Sequence, residues 1–176
     1  MMITVHRFNK YFVTGLTLAL ALAVAGCQSS GRKKKELATI LELHLEANGD
    51  SSSDHMPITI SHEPPVVINV EKEFFVDGAD VEEAKVIEDA TGYSLQLKCT
   101  WRGTQLLESV TAANRGKRIA VFCAFGPARW LAAPLIRNKI SDGVLRFTPD
   151  ATREEAERIV KGLNEVAAGL KKKELL

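Results

Sequence analysis

Histidines, cysteines and paired carboxylates are the side chains of this chain with metal, nucleophilic or acid–base chemistry, and their spacing decides what each can do. His55 falls in a loop and His62 precedes Glu63-Pro64, while His44 sits on the polar face of an alternating stretch. No third ligand stands at a zinc-type spacing from any of them, so no metal site is expected. No serine occupies a Gly-x-Ser-x-Gly elbow. The string Asn114-Arg115-Gly116-Lys117 ends a helical stretch rather than opening one, and so lacks the free N–H groups that cradle a phosphate. Glu82-Glu83 and Glu154-Glu155 fall in helix first turns on this reading, where the helix dipole accounts for them, and nothing selects them as a glycosidase pair. The expectation is a non-catalytic chain with no cofactor and no small-molecule substrate. Trp101 and Trp130 remain, beside Arg102 and Arg129. Tryptophan and arginine dominate the energetics of protein interfaces. Trp101, Arg129 and Trp130 are therefore candidate protein contacts, the alternative being that both indoles cap the edges of the core.

The first cysteine has a different setting. His6, Arg7 and Lys10 form a basic start, Tyr11 to Ala25 an apolar run, and Val24-Ala25-Gly26 leads into Cys27. The apolar run is short for a stable membrane span. The order resembles the lipobox of bacterial lipoproteins. That resemblance implies cleavage before Cys27 and lipid attachment to its sulfur and its new amino group. Several acyl chains, at about 0.8 kcal/mol per buried CH₂, anchor a protein firmly. A plain signal peptide or a short membrane anchor is the alternative. Gln28 lacks the inner-membrane retention residue familiar from enteric bacteria, which leans toward the outer membrane.

The expected organisation is a lipoprotein signal peptide over 1–26, a lipidated cysteine with a polar, basic tether over 27–37, and one domain over 38–176. Removing the signal leaves about 150 residues, the size of a single domain. The net charge of +1 gives no general attraction to nucleic acid, and no nucleic-acid partner is expected. Arg32 to Lys35 is a basic run that reads as a solvated linker, with contact to anionic headgroups as the second reading. Lys171 to Lys173 close the last helix, where a helix C-terminus favours cations. With Cys27 lipidated, Cys99 and Cys123 remain, an even number in an oxidising compartment. Both end strands whose apolar faces point into the core, which is compatible with a disulfide. Two buried free thiols behaving as small hydrophobes are the other reading.

The elements follow from periodicity. Thr39 to Glu46 alternates Leu41, Leu43 and Leu45 with Glu42, His44 and Glu46, predicting a strand with one wet face. Short strands are expected at Ile58 to Ser61, from Val66 to Val70 and at Lys85 to Asp89, with a short helix at Val81 to Ala84 capped by Asp80 and boxed by Glu83. Tyr93 to Cys99 alternates as a strand. Leu106, Leu107, Val110 and Ala113 recur at helical spacing from Arg102 or Gly103 up to Asn114. Arg118 to Ala124 is the next strand, with Arg129 to Ala132 as its hairpin partner and Val144 to Phe147 further on. Pro134 to Ile140 fits no single template. Thr152 caps the last helix with Glu155 in the box position. Strands outnumber helices, so the expected fold is α+β, two-layer, with a mostly antiparallel sheet and two main helices packed on one face. The strand–helix–strand unit from Tyr93 to Ala124 is expected to be a right-handed crossover.

The stretch from Asp77 to Leu170 resembles the head subdomain of the first large periplasmic domain of SecD, a protein-export membrane subunit. Thr111, Asn114, Gly116 and Lys117 stand for that family's Thr-x-x-Asn-x-Gly-(Lys/Arg) string, and Ala120 for its early strand alanine. Ala133, Pro134 and Ile136 follow, then Ile140 and Gly143, and Phe147, Thr152, Glu155, Ala156 and Leu163 complete the order. Gly78-Ala79-Asp80 and Ala84 resemble the family's first short helix. The chain departs from the pattern at Phe125-Gly126, where the family has Asp-Gly, and at Leu145-Arg146, where it has a glycine before the phenylalanine. The family continues into transmembrane helices driven by proton-motive force, and this chain stops at Leu176, so no proton coupling of its own is expected. The resemblance implies a fold and a habit of touching extended chains. The reading is a non-catalytic, lipid-anchored, periplasm-facing envelope domain that binds another protein or a translocating chain. A self-assembling structural lipoprotein is the alternative, and an enzyme of unrecognised type is third.

Overall fold

The leucine alternation of the first strand sets the architecture. β1 (Ile40–Glu46) lies in the middle of a five-stranded sheet ordered β2-β3-β1-β6-β7, with β2 at His55–Ile60, β3 at Val66–Asp77, β6 at Ile119–Ala124 and β7 at Ala128–Ala132. A separate three-stranded sheet is ordered β4-β5-β8, with β4 at Val81–Asp89, β5 at Gly92–Cys99 and β8 at Val144–Phe147. Every paired neighbour is antiparallel. Two helices complete the α+β fold, α1 (Trp101–Ala113) and α2 (Arg153–Glu174). This computed structural model describes residues 39–48, 54–60, 65–89 and 92–174. All of them belong to one unit, Leu37–Leu176. The expected signal peptide, Cys27 and the tether lie outside the described residues.

One apolar core joins both sheets and both helices. Leu41 and Leu43 of β1 meet Val121 of β6, Leu95 and Leu97 of β5, Leu107 of α1 and Leu163 of α2. The strands are therefore split between two sheets instead of forming one. β5 and β6 fall on different sheets, so the expected crossover within a sheet is not made and its handedness rule does not apply.

The expected helix at Val81 to Ala84 is also corrected, because these residues open β4. Register slips by one residue between Val81 and Glu83, a bulge that sets Val81 and Ala84 on the same buried side. Two apolar residues three apart imitate a helical turn for that reason. The capping box exists one turn earlier. Asp77 caps the 3₁₀ turn Gly78–Asp80, and Asp80 reaches back to the Asp77 backbone.

The second face of the large sheet is not uniformly wet, as the alternation had predicted. Its edge strands β2 and β7 approach within 8 Å at their Cα atoms, so the sheet curls. Ile58, Val70 and Ala120 form a second, smaller core inside that curl, with Met56, Ile68 and Trp130 packed on it. β3 carries extra residues opposite β1 on either side of Phe74. Those bulges bend it, and a bulge leaves backbone groups without a ladder partner. His44 fills this gap, donating from Nδ1 to the Glu71 carbonyl at 2.9 Å, and it is 3% exposed.

Candidate functional site

Trp130 stands on the curled face. Its partner across the hairpin is Phe122, with ring centroids 5.3 Å apart and planes at 60°. His44 meets the same indole edge-on at 5.1 Å, and Phe74 meets His44 at 6.2 Å. These edge-to-face contacts suit the ring quadrupoles. The cluster is not sealed, for Phe74 is 47% exposed and Trp130 and Phe122 are half-buried. Glu42 lies beside it, its Oε2 3.4 Å from His44 Nε2. The result is a half-open aromatic patch with one carboxylate, Glu42, at its border. His44, Phe74 and Phe122 were not singled out as contact residues. His44 and Phe122 each alternate with core residues along their own strand, but the pairing of β1 with β6 and the bulges in β3 bring them and Phe74 together.

Arg129 is adjacent in sequence and separated in space. Strand alternation turns it to the opposite face, toward α2. Its Nη2 donates to Glu155 Oε2 at 2.7 Å, and its guanidinium lies 5.5 Å from the Phe125 ring centroid. Its buried Nε has no hydrogen-bond partner among the described residues. Glu155 also receives the Thr152 backbone N–H at 2.9 Å, and its own N–H donates to Thr152 Oγ1, completing the expected capping box. The Thr152 N–H first, and Arg129 after it, hold the Glu155 carboxyl below its usual range, against the upward push of burial. Arg129 thus braces β7 to the start of α2.

Trp101 begins α1 on another surface and is 80% exposed. It borders a groove of about 520 Å³ whose apolar lining includes Val81, Ala167 and Leu170. Arg102 Nη1 lies 3.3 Å from Asp80 Oδ1, and Lys98 and Lys171 both reach Glu82, at 3.1 and 3.4 Å. These two lysines lower the Glu82 pKa by hydrogen bonding and charge, Lys98 foremost. The start of α1 is fixed by Thr100, whose N–H donates to the Asp80 carbonyl at 2.7 Å and whose Oγ1 receives the Gly103 N–H. A Cβ on Gly103 would stand 2.7 Å from the Asp80 carbonyl oxygen, so only glycine lets the helix sit this close. The structure therefore does not bring Trp101, Arg129 and Trp130 together.

Cys99 and Cys123, for which the sequence left a disulfide and free thiols equally open, are free and buried on different sheets. Burial pushes Cys99 up to about 11 and Cys123 up to about 12, so both stay protonated at neutral pH. Among the described residues no group of three or more His, Cys, Asp or Glu is placed to hold a metal ion. Asp54, His55, Glu71, Lys72 and Glu73 line a polar cleft of about 480 Å³ where the start of β2 meets the middle of β3. Two sheet edges are blunted. The Asn164 side chain bonds both Ala84 N–H and Ala84 C=O on the outer edge of β4, and Pro57 removes a donor from β2.

Thr111, Gly116, Lys117, Ile136 and Ile140, among the positions that carried the family resemblance, tie the fold together. Thr111 is fully buried, donates to the Leu107 carbonyl at 2.7 Å and accepts the Ile140 N–H at 2.9 Å. The segment that fitted no template is strapped to the turn before β6, with Ile136 N–H on Lys117 and Gly116 N–H on Ile136.

Two antiparallel sheets and two helices about a shared core define a small α+β domain. Residues 54–167 match the family of the SecDF P1 head subdomain, and the chain belongs to that family. The match begins at β2, earlier than the Asp77 start of the resemblance. Solved structures agree in fold. SecDF in its super-membrane-facing form superposes with a TM-score of 0.56 at 22% identity, over 73% of this chain and 19% of that one. A structure described as a membrane component SecDF that enhances protein export gives 0.55 at 22% identity, over 73% of this chain and 63% of that one. The chain thus spans about a fifth of the first and less than two thirds of the second. No curated protein matches it. No described helix is long and apolar enough to cross a membrane.

Proposed function

We propose that this chain is a non-catalytic, lipid-anchored domain of the bacterial cell envelope, facing the periplasm, that contacts another protein or a translocating chain in protein export. The lipid is carried by Cys27, and the outer membrane is the favoured location. Family membership supports the export connection, because a similar structure is that of a SecDF component that enhances protein export. The observation that carries a contact role is the half-open patch of Trp130, Phe122, His44 and Phe74. Its aromatic rings offer apolar area at low conformational cost.

Crosslinking of the lipidated protein in intact cells tests this. Recovery of translocon subunits or exported precursors, reduced by Phe74→Ser, supports the reading. Phe74 is the variant of choice because it is the most exposed of the four. Recovery of unrelated envelope proteins would leave the fold without the export role. A stable self-assembled oligomer at micromolar concentration would favour a structural lipoprotein instead. Loss of fatty-acid labelling in Cys27→Ser tests the anchor independently.

A further inference from the structure

The groove beside Trp101 plays no part in the aromatic patch, and its composition differs. A tryptophan 80% exposed is costly to leave in water unless something covers it. Arg102, Lys171 and Lys173 line the groove with it, Lys98 reaches the lining Glu82, and Lys172 is exposed on the same last turn of α2. The carboxylates among them are Asp80, which is buried, and Glu82, which is shared between Lys98 and Lys171. Cations therefore exceed anions on this face. An indole within a ring of long basic side chains is the composition that settles at a membrane–water interface, apolar body inward and charges on the headgroups.

The chain path points the same way. β1 begins beside the 3₁₀ turn that lines the groove. Glu42 pairs with Asp77, and the Leu41 nitrogen lies 3.8 Å from where a Cβ on Gly78 would stand. Thr39, the first described residue, packs on Gly162 of α2, about 14 Å along the helix from Lys171. From Cys27 to Thr39 the extended chain reaches at most roughly 40 Å. The basic run Arg32 to Lys35 lies within that span.

We infer that the Trp101 face is where the tethered domain rests on an anionic bilayer, with Trp101 in the headgroup region and Arg102, Lys98 and Lys171 to Lys173 toward lipid phosphates. The inference rests on the lipid-anchor reading above. Each cation held near an anionic leaflet strengthens the contact about fivefold, so a short tether and a few charges suffice.

The test uses the full lipidated chain with Trp130→Phe, which leaves Trp101 as its one tryptophan. The protein is reconstituted in vesicles of phosphatidylcholine alone, or mixed with phosphatidylglycerol, with brominated lipid as quencher. The expected result is a blue-shifted Trp101 emission that is strongly quenched in the anionic vesicles. It should be weakened at high salt, where the Debye length falls from about 10 to about 3 Å, and by Lys171→Glu, Lys172→Glu and Lys173→Glu combined. Should Trp130→Phe fold poorly, the wild-type signal minus that of Trp101→Phe reports the same quantity. Flotation with the vesicles is scored in parallel. Protein that floats while Trp101 stays unquenched overturns the inference and leaves the anchor standing. Protein that does not float overturns both. Shielding of Trp101 only when envelope proteins are added makes the face a protein-docking site and overturns the lipid assignment.

Discussion

Trp130 and Trp101 are the same side chain beside the same neighbour type, and the fold treats them in opposite ways. Arg129 and Trp130 lie on a strand, so alternation sends the arginine to Glu155 and the indole to His44 and Phe122. Trp101 and Arg102 open a helix at a surface, so both remain on one exposed face over a groove. Trp130 is a packed residue with an exposed rim. Trp101 is an exposed residue with little to hold it in the folded domain. The comparison shows that an aromatic–arginine pair in sequence names a chemistry, and that the element beneath it decides whether the pair acts as one site.

The largest expected effect breaks the packed side. Trp130→Ala removes the indole from between His44 and Phe122 and should cost about 2–4 kcal/mol in urea unfolding. Gly103→Ala comes next, at about 1–3 kcal/mol, because its Cβ must displace the Asp80 backbone on which α1 is seated. It should also move Trp101, read as a change in its fluorescence in a Trp130→Phe background. The brace at Arg129 is smaller, about 1 kcal/mol, since the pair is partly exposed. Its pH signature is distinctive. The folded Glu155 pKa lies below its unfolded value of about 4.3, so its contribution is present above that pH and is lost as pH falls through the folded value. Glu155→Gln should flatten the acid limb of the stability profile. An unchanged limb would deny the brace. Trp101→Ala should shift stability by less than about 0.5 kcal/mol, and a loss as large as that of Trp130→Ala would erase the contrast.

The thiols offer one more measurement. Under non-reducing conditions, Cys99 and Cys123 should react with a thiol reagent only after denaturation, because burial keeps them protonated and covered. Absence of reaction even when unfolded would mean that they are bonded.

Much of the architecture was legible locally. The Thr152–Glu155 box, the α1 spacing around Leu107 and the β1 leucines are short-range patterns, and each formed as read. The failures share one cause. At Val81 to Ala84 a bulge moved the alternation out of phase, and in β3 bulges around Phe74 hid the continuation of the strand past Val70. A bulge is set by the partner strand, and one strand's sequence does not contain its partner. His44 read as solvent-facing because it alternates with leucines, but the curl that brings β2 toward β7 closed that face.

The sequence by itself therefore determined the α+β class, both long helices, the start signal of the second, and the family, because these depend on residues near one another or on an ordered string. Only the tertiary structure decided how the strands divide between two sheets, that the back of the larger sheet holds a second core, and that Trp130 and Trp101 belong to different faces. Those outcomes depend on register, bulges and curvature, which arise where distant segments meet and the backbone must bend to keep its hydrogen bonds and bury its apolar sides together.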